Sequence, residues 1–214
     1  MARRRKTDPT RDGVVGESRR GRVTSRYVAL IRGINVGRAK RVAMAELRAL
    51  LAFLGYVDVR TILNSGNLVF SGTRQQPMRI AKRIEDTMSE RLGVSGRVTV
   101  LTASEFARVV EENALVKSAT DPARLLVAFC TDAGRLKELE SLKRQEWAPE
   151  AVASGSLAAY VWCAEGILAS RLLEVVGRAL GDSTTTRNWS TVARIQAALE
   201  PESAVIATTS RRMS

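Results

Sequence analysis

"VDVRTILNSGNLVF", residues 57–70, is the stretch whose reading decides the fold. "VDVRTIL" (57–63) alternates apolar and polar residues, which predicts a strand with Val57, Val59, Thr61 and Leu63 on one side. "NSGN" (64–67) then turns the chain. Ser65-Gly66 as two central residues, flanked by Asn64 and Asn67, is hairpin chemistry. "LVF" (68–70) returns as the partner strand.

Upstream, "AMAELRALLAFL" (43–54) places Met44, Leu47, Leu50, Leu51 and Leu54 on one helical face, and Gly55 ends that helix. Residues 26–34 before it read as a strand. Downstream, Met78, Ile80, Ala81, Ile84, Met88 and Leu92 repeat with helical spacing over 76–92. "RVTVLT" (97–102) is a strand, and "SEFARVVEEN" (104–113) a helix opened by a capping serine. Strand, helix, hairpin, helix, strand is the ferredoxin-like unit, an antiparallel sheet covered by helices. The second half replays this order in part. "RLLVAFCTD" (124–132) is a strand, 133–144 a helix, "PEAVASGS" and "LAAYVWC" a hairpin across Gly155, and 169–180 a helix. A polar stretch, "GDSTTTRNWS" (181–190), then leads into a last helix over 192–200. The expected class is α+β with two ferredoxin-like subdomains, residues 26–116 and 117–200. The replay lies in element order and not in the residues themselves.

The formal charge of +12 is unevenly spread. Residues 1–26 carry nine basic groups and three acids, so half of the net charge falls in a short segment almost free of large apolar residues. Such a segment cannot bury enough surface to offset its ordering entropy. Residues 1–25 are therefore expected to form a disordered basic tail, and 201–214 a flexible C-terminal one. The basic tail is a solvated extension or a nonspecific nucleic-acid-binding arm. No apolar run is long enough to span a bilayer, and no secretory signal opens the chain, so a soluble cytoplasmic protein without membrane partners is expected. Cys130 and Cys163 each lie in apolar stretches, where buried unoxidised thiols are expected. There is no histidine. That excludes a His general base, a Ser–His or Cys–His nucleophile pair and any His-ligated metal. With two separated cysteines, a zinc site is not expected either, and no metal or cofactor is assigned.

Three stretches carry unusual chemistry. "RGINVGRAKRV" (32–42) is a Gly-containing basic loop between a strand and a helix, the setting of many phosphate sites. It is neither a P-loop nor a dinucleotide fingerprint. Gly33 and Gly37 permit positive φ, Arg32 can fork onto an anion, and Arg38, Lys40 and Arg41 add positive field. The plainer reading is a surface loop whose glycines shape a turn. In "NSGN", Ser65 and Asn67 either build the turn or present a polar rim. "TTTRNWS" (184–190) gathers hydroxyls, a guanidinium, an amide and an indole. It is either a ligand site or a core anchor at Trp189 with Arg187 as a structural bridge and Asn188 or Ser190 as a helix cap.

Together, "YVALIRGINVGRAKRVAMAELRALLAFLGYVDVRTILNSGNLVFSG" and "TTTRNWSTVARI" resemble the bacterial domain of unknown function 1697. That family's hallmark is an Arg-Gly-Ile-Asn-Val-Gly-Gly loop, a Ser-Gly-Asn hairpin and a Thr-Thr-Arg-Asn-Trp-Asn-Thr end. The resemblance spans roughly residues 26–200. It implies two ferredoxin-like subdomains and no particular activity. Arg38 replaces the second glycine here, Ala43 stands at a usual proline, and Ser190 replaces an asparagine.

The expected function is a binding module or enzyme for a small anionic, phosphate-bearing ligand. Arg32, Gly33, Asn35, Gly37 and Lys40 would form one wall, and Thr186, Arg187 and Asn188 the other. Ser65 and Asn67 lie on the rim, and Trp189 serves as backing. Lys40 or Glu46 is the candidate for any proton transfer. The alternatives are single-stranded nucleic-acid binding on a sheet face, using Tyr27, Phe70, Tyr160 and Trp162, or polar loops serving a homo-oligomer interface.

Overall fold

A computed structural model describes residues 24–35, 41–182 and 184–200. Residues 1–23 and 201–214 of the expected tails lie outside the described residues, as do Gly37, Arg38 and Lys40 of the first loop; Thr24 and Ser25, expected in the tail, instead begin the first strand by pairing with Thr73 and Gly72.

The chain runs β1 (Thr24–Arg32), α1 (Met44–Phe53), β2 (Val57–Ile62), β3 (Asn67–Thr73), α2 (Pro77–Leu92), β4 (Arg97–Thr102) and α3 (Ala103–Glu111). It continues as β5 (Leu125–Phe129), α4 (Ala133–Glu138), α5 (Glu140–Lys143), β6 (Ala151–Ser154), β7 (Ala158–Trp162), α6 (Arg171–Leu180), β8 (Thr185–Asn188) and α7 (Trp189–Leu199). Two antiparallel four-stranded sheets result, ordered β2-β3-β1-β4 and β6-β7-β5-β8. The two orders correspond strand for strand, so the fold is α+β with the ferredoxin-like plan used twice. The replay that the sequence shows in part is complete, because the polar stretch after α6 supplies the missing strand, β8.

The layering follows from which faces are apolar. β1 reads Tyr-Val-Ala-Leu-Ile and β5 reads Leu-Leu-Val-Ala-Phe, continuous runs that only a strand covered on both faces can accommodate. Tyr27, Ala29 and Ile31 point to a core closed by α1 and α2. Leu126 and Ala128 point to one closed by α4, α5 and α6. The opposite faces share a third core. Val28 and Leu30 of β1 meet Val127 and Phe129 of β5 there, around α3 and α7. Phe106 of α3 stacks on Phe129 of β5, ring centroids 5.7 Å apart. Tyr160 donates its hydroxyl to the Val109 carbonyl at 2.7 Å. Glu112 at the end of α3 accepts from the backbone N–H and hydroxyl of Ser156 in the β6–β7 turn, at 2.7 and 3.0 Å.

Local departures from the expected elements have local causes. The β2–β3 pairing shifts register between Val57 and Arg60, with Asp58 at φ 54°. This bulge breaks the alternation, leaving Val57 and Leu63 exposed while Val59 and Ile62 pack into different cores. Ile62 pairs with Asn67, so the hairpin loop has four residues, Leu63 to Gly66, rather than two central ones. Gly66, at φ 74°, has no room for a side chain: a Cβ would lie 2.9 Å from Ile34 Cδ1. α3 is capped by Thr102 rather than by Ser104, through a reciprocal box with Glu105. The helix expected over 133–144 is interrupted at Leu139.

No described helix is long and apolar enough to cross a membrane. Cys130 and Cys163 are buried and free, at opposite ends of the β5–β7 pair, where their N–H groups bond Leu157 and Arg124. Burial raises the Cys163 thiol above its ordinary pKa. Thiol reagents at pH 8 should therefore leave both cysteines of the native protein unlabelled and modify both in denaturant; rapid labelling of either in the native state would contradict this packing. Because the central core draws on both sheets, Phe129→Ala should cost about 3–5 kcal/mol and shift one cooperative unfolding transition, followed by circular dichroism in denaturant. Two transitions, with only one moved, would show that the halves do not share a core.

Candidate functional site

The site lies where β8 crosses the end of β1 and the β2–β3 loop. Arg187 is its centre. Nε donates to Asn67 Oδ1 at 2.5 Å. Nη1 donates to Thr185 Oγ1 at 3.0 Å and to the Thr186 carbonyl at 2.8 Å. Nη2 donates to the Ile31 carbonyl at 2.8 Å and the Ser65 carbonyl at 3.2 Å. A guanidinium has five N–H groups, and all of them are engaged. Every acceptor is neutral. Among the described residues the charge has no carboxylate partner, and desolvation lowers the Arg187 pKa to about 10. It remains a cation at neutral pH, held by dipoles alone.

Its acceptors are themselves held. Asn67 is fully buried and donates Nδ2 to the Ile62 carbonyl at 2.9 Å and to Ser65 Oγ at 3.0 Å. The Ile31 N–H donates to the Gly66 carbonyl at 2.8 Å, tying strand to loop. Asn35, at φ 57°, donates to the Val42 and Asn64 carbonyls and accepts from the Val42 N–H. It therefore braces both ends of the first loop against the hairpin.

Arg32 forms a second bridge between the sheets. Its Nη1 donates to the Asp182 carbonyl at 2.6 Å and the Thr184 carbonyl at 3.2 Å. Its Nη2 lies 3.3 Å from the Asp182 carboxylate. These carbonyls follow the C-terminal end of α6, where partial negative charge collects. Arg135 donates to the Ala179 carbonyl at the same end. The Arg32 side chain is 45 % exposed. Its Nε and one Nη2 proton have no partner among the described residues, and neither does the Thr186 hydroxyl.

Between these groups lies a cavity of ≈ 330 Å³, lined by Ile31, Arg32, Gly33, Ile34, Ser65, Thr186 and Arg187 together with Gly177, Gly181, Thr184 and Thr185. Among the described residues two arginines line it and no acid does. The strand run and the "TTTRN" stretch, over 150 residues apart, thus meet across one cleft. Of the residues singled out from sequence, Arg32, Gly33, Ser65, Thr186 and Arg187 line it. Asn35 and Asn67 stand behind it as braces. Asn188 caps α7, its Oδ1 accepting from the Thr191 N–H and hydroxyl, and Trp189 packs into the central core. Gly37 and Lys40 lie outside the described residues. Glu46 accepts from the Ala43 N–H at 2.8 Å at the start of α1 and does not line the cleft. The contributions of Thr184, Gly181 and Asp182 were visible only as residues of one polar stretch; Ile31 and Ile34 carried no chemical signal of a site.

Of the four aromatics named for stacking bases, Tyr27, Phe70 and Tyr160 are fully buried, and Trp162 at the end of β7 is half-buried. Among the described residues no group of His, Cys, Asp or Glu could hold a metal ion.

Residues 24–160 match the model of a family described as "Protein of unknown function (DUF1697)". No curated protein matches the chain. Among solved structures, the chain is similar to a conserved bacterial protein, SP0830 from Streptococcus pneumoniae. The TM-score is 0.66 at 26 % identity, covering 83 % of this chain and 99 % of that one.

If Arg187 latches the sheets, Arg187→Met should leave buried acceptors unpaired and cost roughly 2–4 kcal/mol in urea denaturation, and Asn67→Ala about 1–3. The double variant should fall short of the sum by roughly 0.5–3 kcal/mol, the coupling expected of two groups in direct contact. An Arg187→Met protein as stable as the parent would remove the latch.

Proposed function

We propose that this chain, which belongs to the DUF1697 family, binds a small anionic, phosphate-bearing ligand in the cleft between Arg32-Gly33 and Thr184–Arg187. The observation that carries the reading is a cation without a counter-ion beside an acid-free cavity. Removing a guanidinium from water without a carboxylate is unfavourable, and an anion in the adjacent space relieves that cost. Arg187 has no donor to spare, so it acts through its field. The contacts fall to groups with free donors: the Arg32 Nε and Nη2 protons and the Thr186 hydroxyl, with Ser65 Oγ–H on the opposite rim. Charge-assisted bonds of this kind are the strong ones.

The cleft is a binding site before it is anything else. Its described lining includes no carboxylate, thiol or amine placed to move a proton. Burial of Tyr27, Phe70 and Tyr160 leaves Trp162 as the one partly exposed aromatic of the four, which is too little for a stacking platform, so the phosphate reading rests on the seam and not on the basic tail.

The test is a thermal-unfolding titration of the full chain with inorganic phosphate against chloride at matched ionic strength. At a hundredfold excess over Kd, binding to the native state contributes about 2.7 kcal/mol, a rise of roughly 5–10 °C. Arg32→Ala should retain the fold and bind about 10–100-fold more weakly, since it loses one charged contact. Stabilisation by phosphate that Arg32→Ala leaves intact would assign the binding to another part of the chain and overturn the reading.

A further inference from the structure

A second cavity, of ≈ 590 Å³, adjoins the seam cleft and shares Arg32 and Gly33 with it. Gly33 carries no side chain to close the border. The walls of this groove come from the polar face of α2 and the start of β4, Glu85, Asp86, Ser89, Ser95 and Arg97, with Asp182 at the end shared with Arg32. Among the described residues no apolar or aromatic side chain lines it.

Hydrogen bonding shows which of these groups are available. Glu85 Oε1 accepts from the Val98 N–H at 2.8 Å, which leaves Oε2 free. Asp86 is held by Lys82, Nζ lying 2.9 and 3.0 Å from its two oxygens. The Ser89 and Ser95 hydroxyls and the Arg97 guanidinium have no partner among the described residues. Asp182 meets Arg32 through Oδ1 alone, so the groove offers two free carboxylate oxygens, Glu85 Oε2 and Asp182 Oδ2, with two hydroxyls and a fork of donors.

We infer that the ligand of the seam cleft is a sugar or polyol monophosphate whose hydroxylated body lies in this groove; the inference rests on the phosphate reading above. A carbohydrate hydroxyl both donates and accepts, and it meets Glu85 Oε2 as donor and Arg97 as acceptor. A nucleobase needs a stacking face, which is missing here. An acyl chain needs an apolar wall. A second phosphate would sit among Glu85, Asp86 and Asp182, where the carboxylates offset Arg32 and Arg97. One anionic end and a neutral, hydroxyl-rich body is the chemistry that fits both cavities at once.

The experiment is isothermal titration of the full chain with inorganic phosphate, glucose 6-phosphate, ribose 5-phosphate, glycerol 3-phosphate, glucose and AMP at one ionic strength. A sugar or polyol phosphate is expected to bind at least roughly tenfold more tightly than inorganic phosphate, one further hydrogen bond to a charged group being enough. Glu85→Gln keeps an oxygen for Val98, and Arg97→Ala and Ser89→Ala alter exposed positions. Each should erase part of that gain without changing the affinity for inorganic phosphate. Sugar phosphates no tighter than inorganic phosphate would overturn this inference and leave the phosphate site standing. AMP as the tightest ligand would overturn it as well. Absence of binding by every phosphate compound would remove both readings.

Discussion

A planar fork with five N–H groups, all ending on neutral oxygens, sets the terms on which the two sheets meet. Arg187 takes its acceptors from the end of β1, from the β2–β3 loop, from the first residue of β3 and from its own strand. Those oxygens converge only if each supporting element has the form it has. The loop must take four residues, with Leu63 and Gly66 at positive φ. Asn67 must be buried with its amide turned to offer Oδ1. β8 must be extended, so that Thr185 and Arg187 share a face and the Thr185 hydroxyl reaches Nη1. The polar residues of three separated stretches are thus parts of one hydrogen-bonded assembly, and an unpaired member would be costly in such surroundings.

The apolar side of the structure makes that assembly possible. β1 and β5 are covered on both faces, and their inner faces contribute to a single core around α3 and α7. The sheets are joined at separated points: the Phe106–Phe129 stack, the grip of Glu112 on Ser156, and the bond from Arg26 to the Leu199 carbonyl. With the sheets fixed there, the seam at Arg187 has a defined width. Surface ion pairs do little of this holding; the Arg32–Asp182 pair is exposed, and such pairs are worth roughly 0–1 kcal/mol. The cleft owes its shape to hydrocarbon packing and its polar lining to the seam.

Much of this was legible in the sequence because it depends on period and composition. Double burial was written in the unbroken runs of β1 and β5, and the hairpin in the Asn-Ser-Gly-Asn turn. What escaped depends on tertiary context. β8 is Thr-Thr-Arg-Asn, with only Thr185 buried, and nothing apolar marks it as a strand. It pairs because β5 presents an open edge. The bulge at Asp58 converts a clean alternation into an irregular strand, and no local signal announces it. Single residues could be nominated, but their division of labour could not. Asn188 as cap and Arg187 as bridge were among the readings open at the outset. The spending of Asn35 and Asn67 on backbone groups became visible only once their neighbours were known. Glu85, Ser89 and Arg97 were invisible altogether, since an exposed polar helix face reads as solvated.

The structural employment of these residues does not compete with a ligand role; it produces the conditions for one. Had the seam been closed by an arginine–carboxylate pair, its charges would cancel locally and an anion would gain nothing by approaching. Closing it with carbonyl, amide and hydroxyl oxygens satisfies every donor while leaving a full positive charge. Burial pulls the Arg187 pKa below its ordinary value, as expected where dipoles replace water only in part. A phosphate in the cleft would favour the charged form and move that pKa back upward, so anion binding and the comfort of the seam are thermodynamically linked. In the proposed site, field and contact would fall to different residues. Arg187, with all donors committed to the seam, would supply the field. Arg32, half exposed and with donors to spare, would supply the contact.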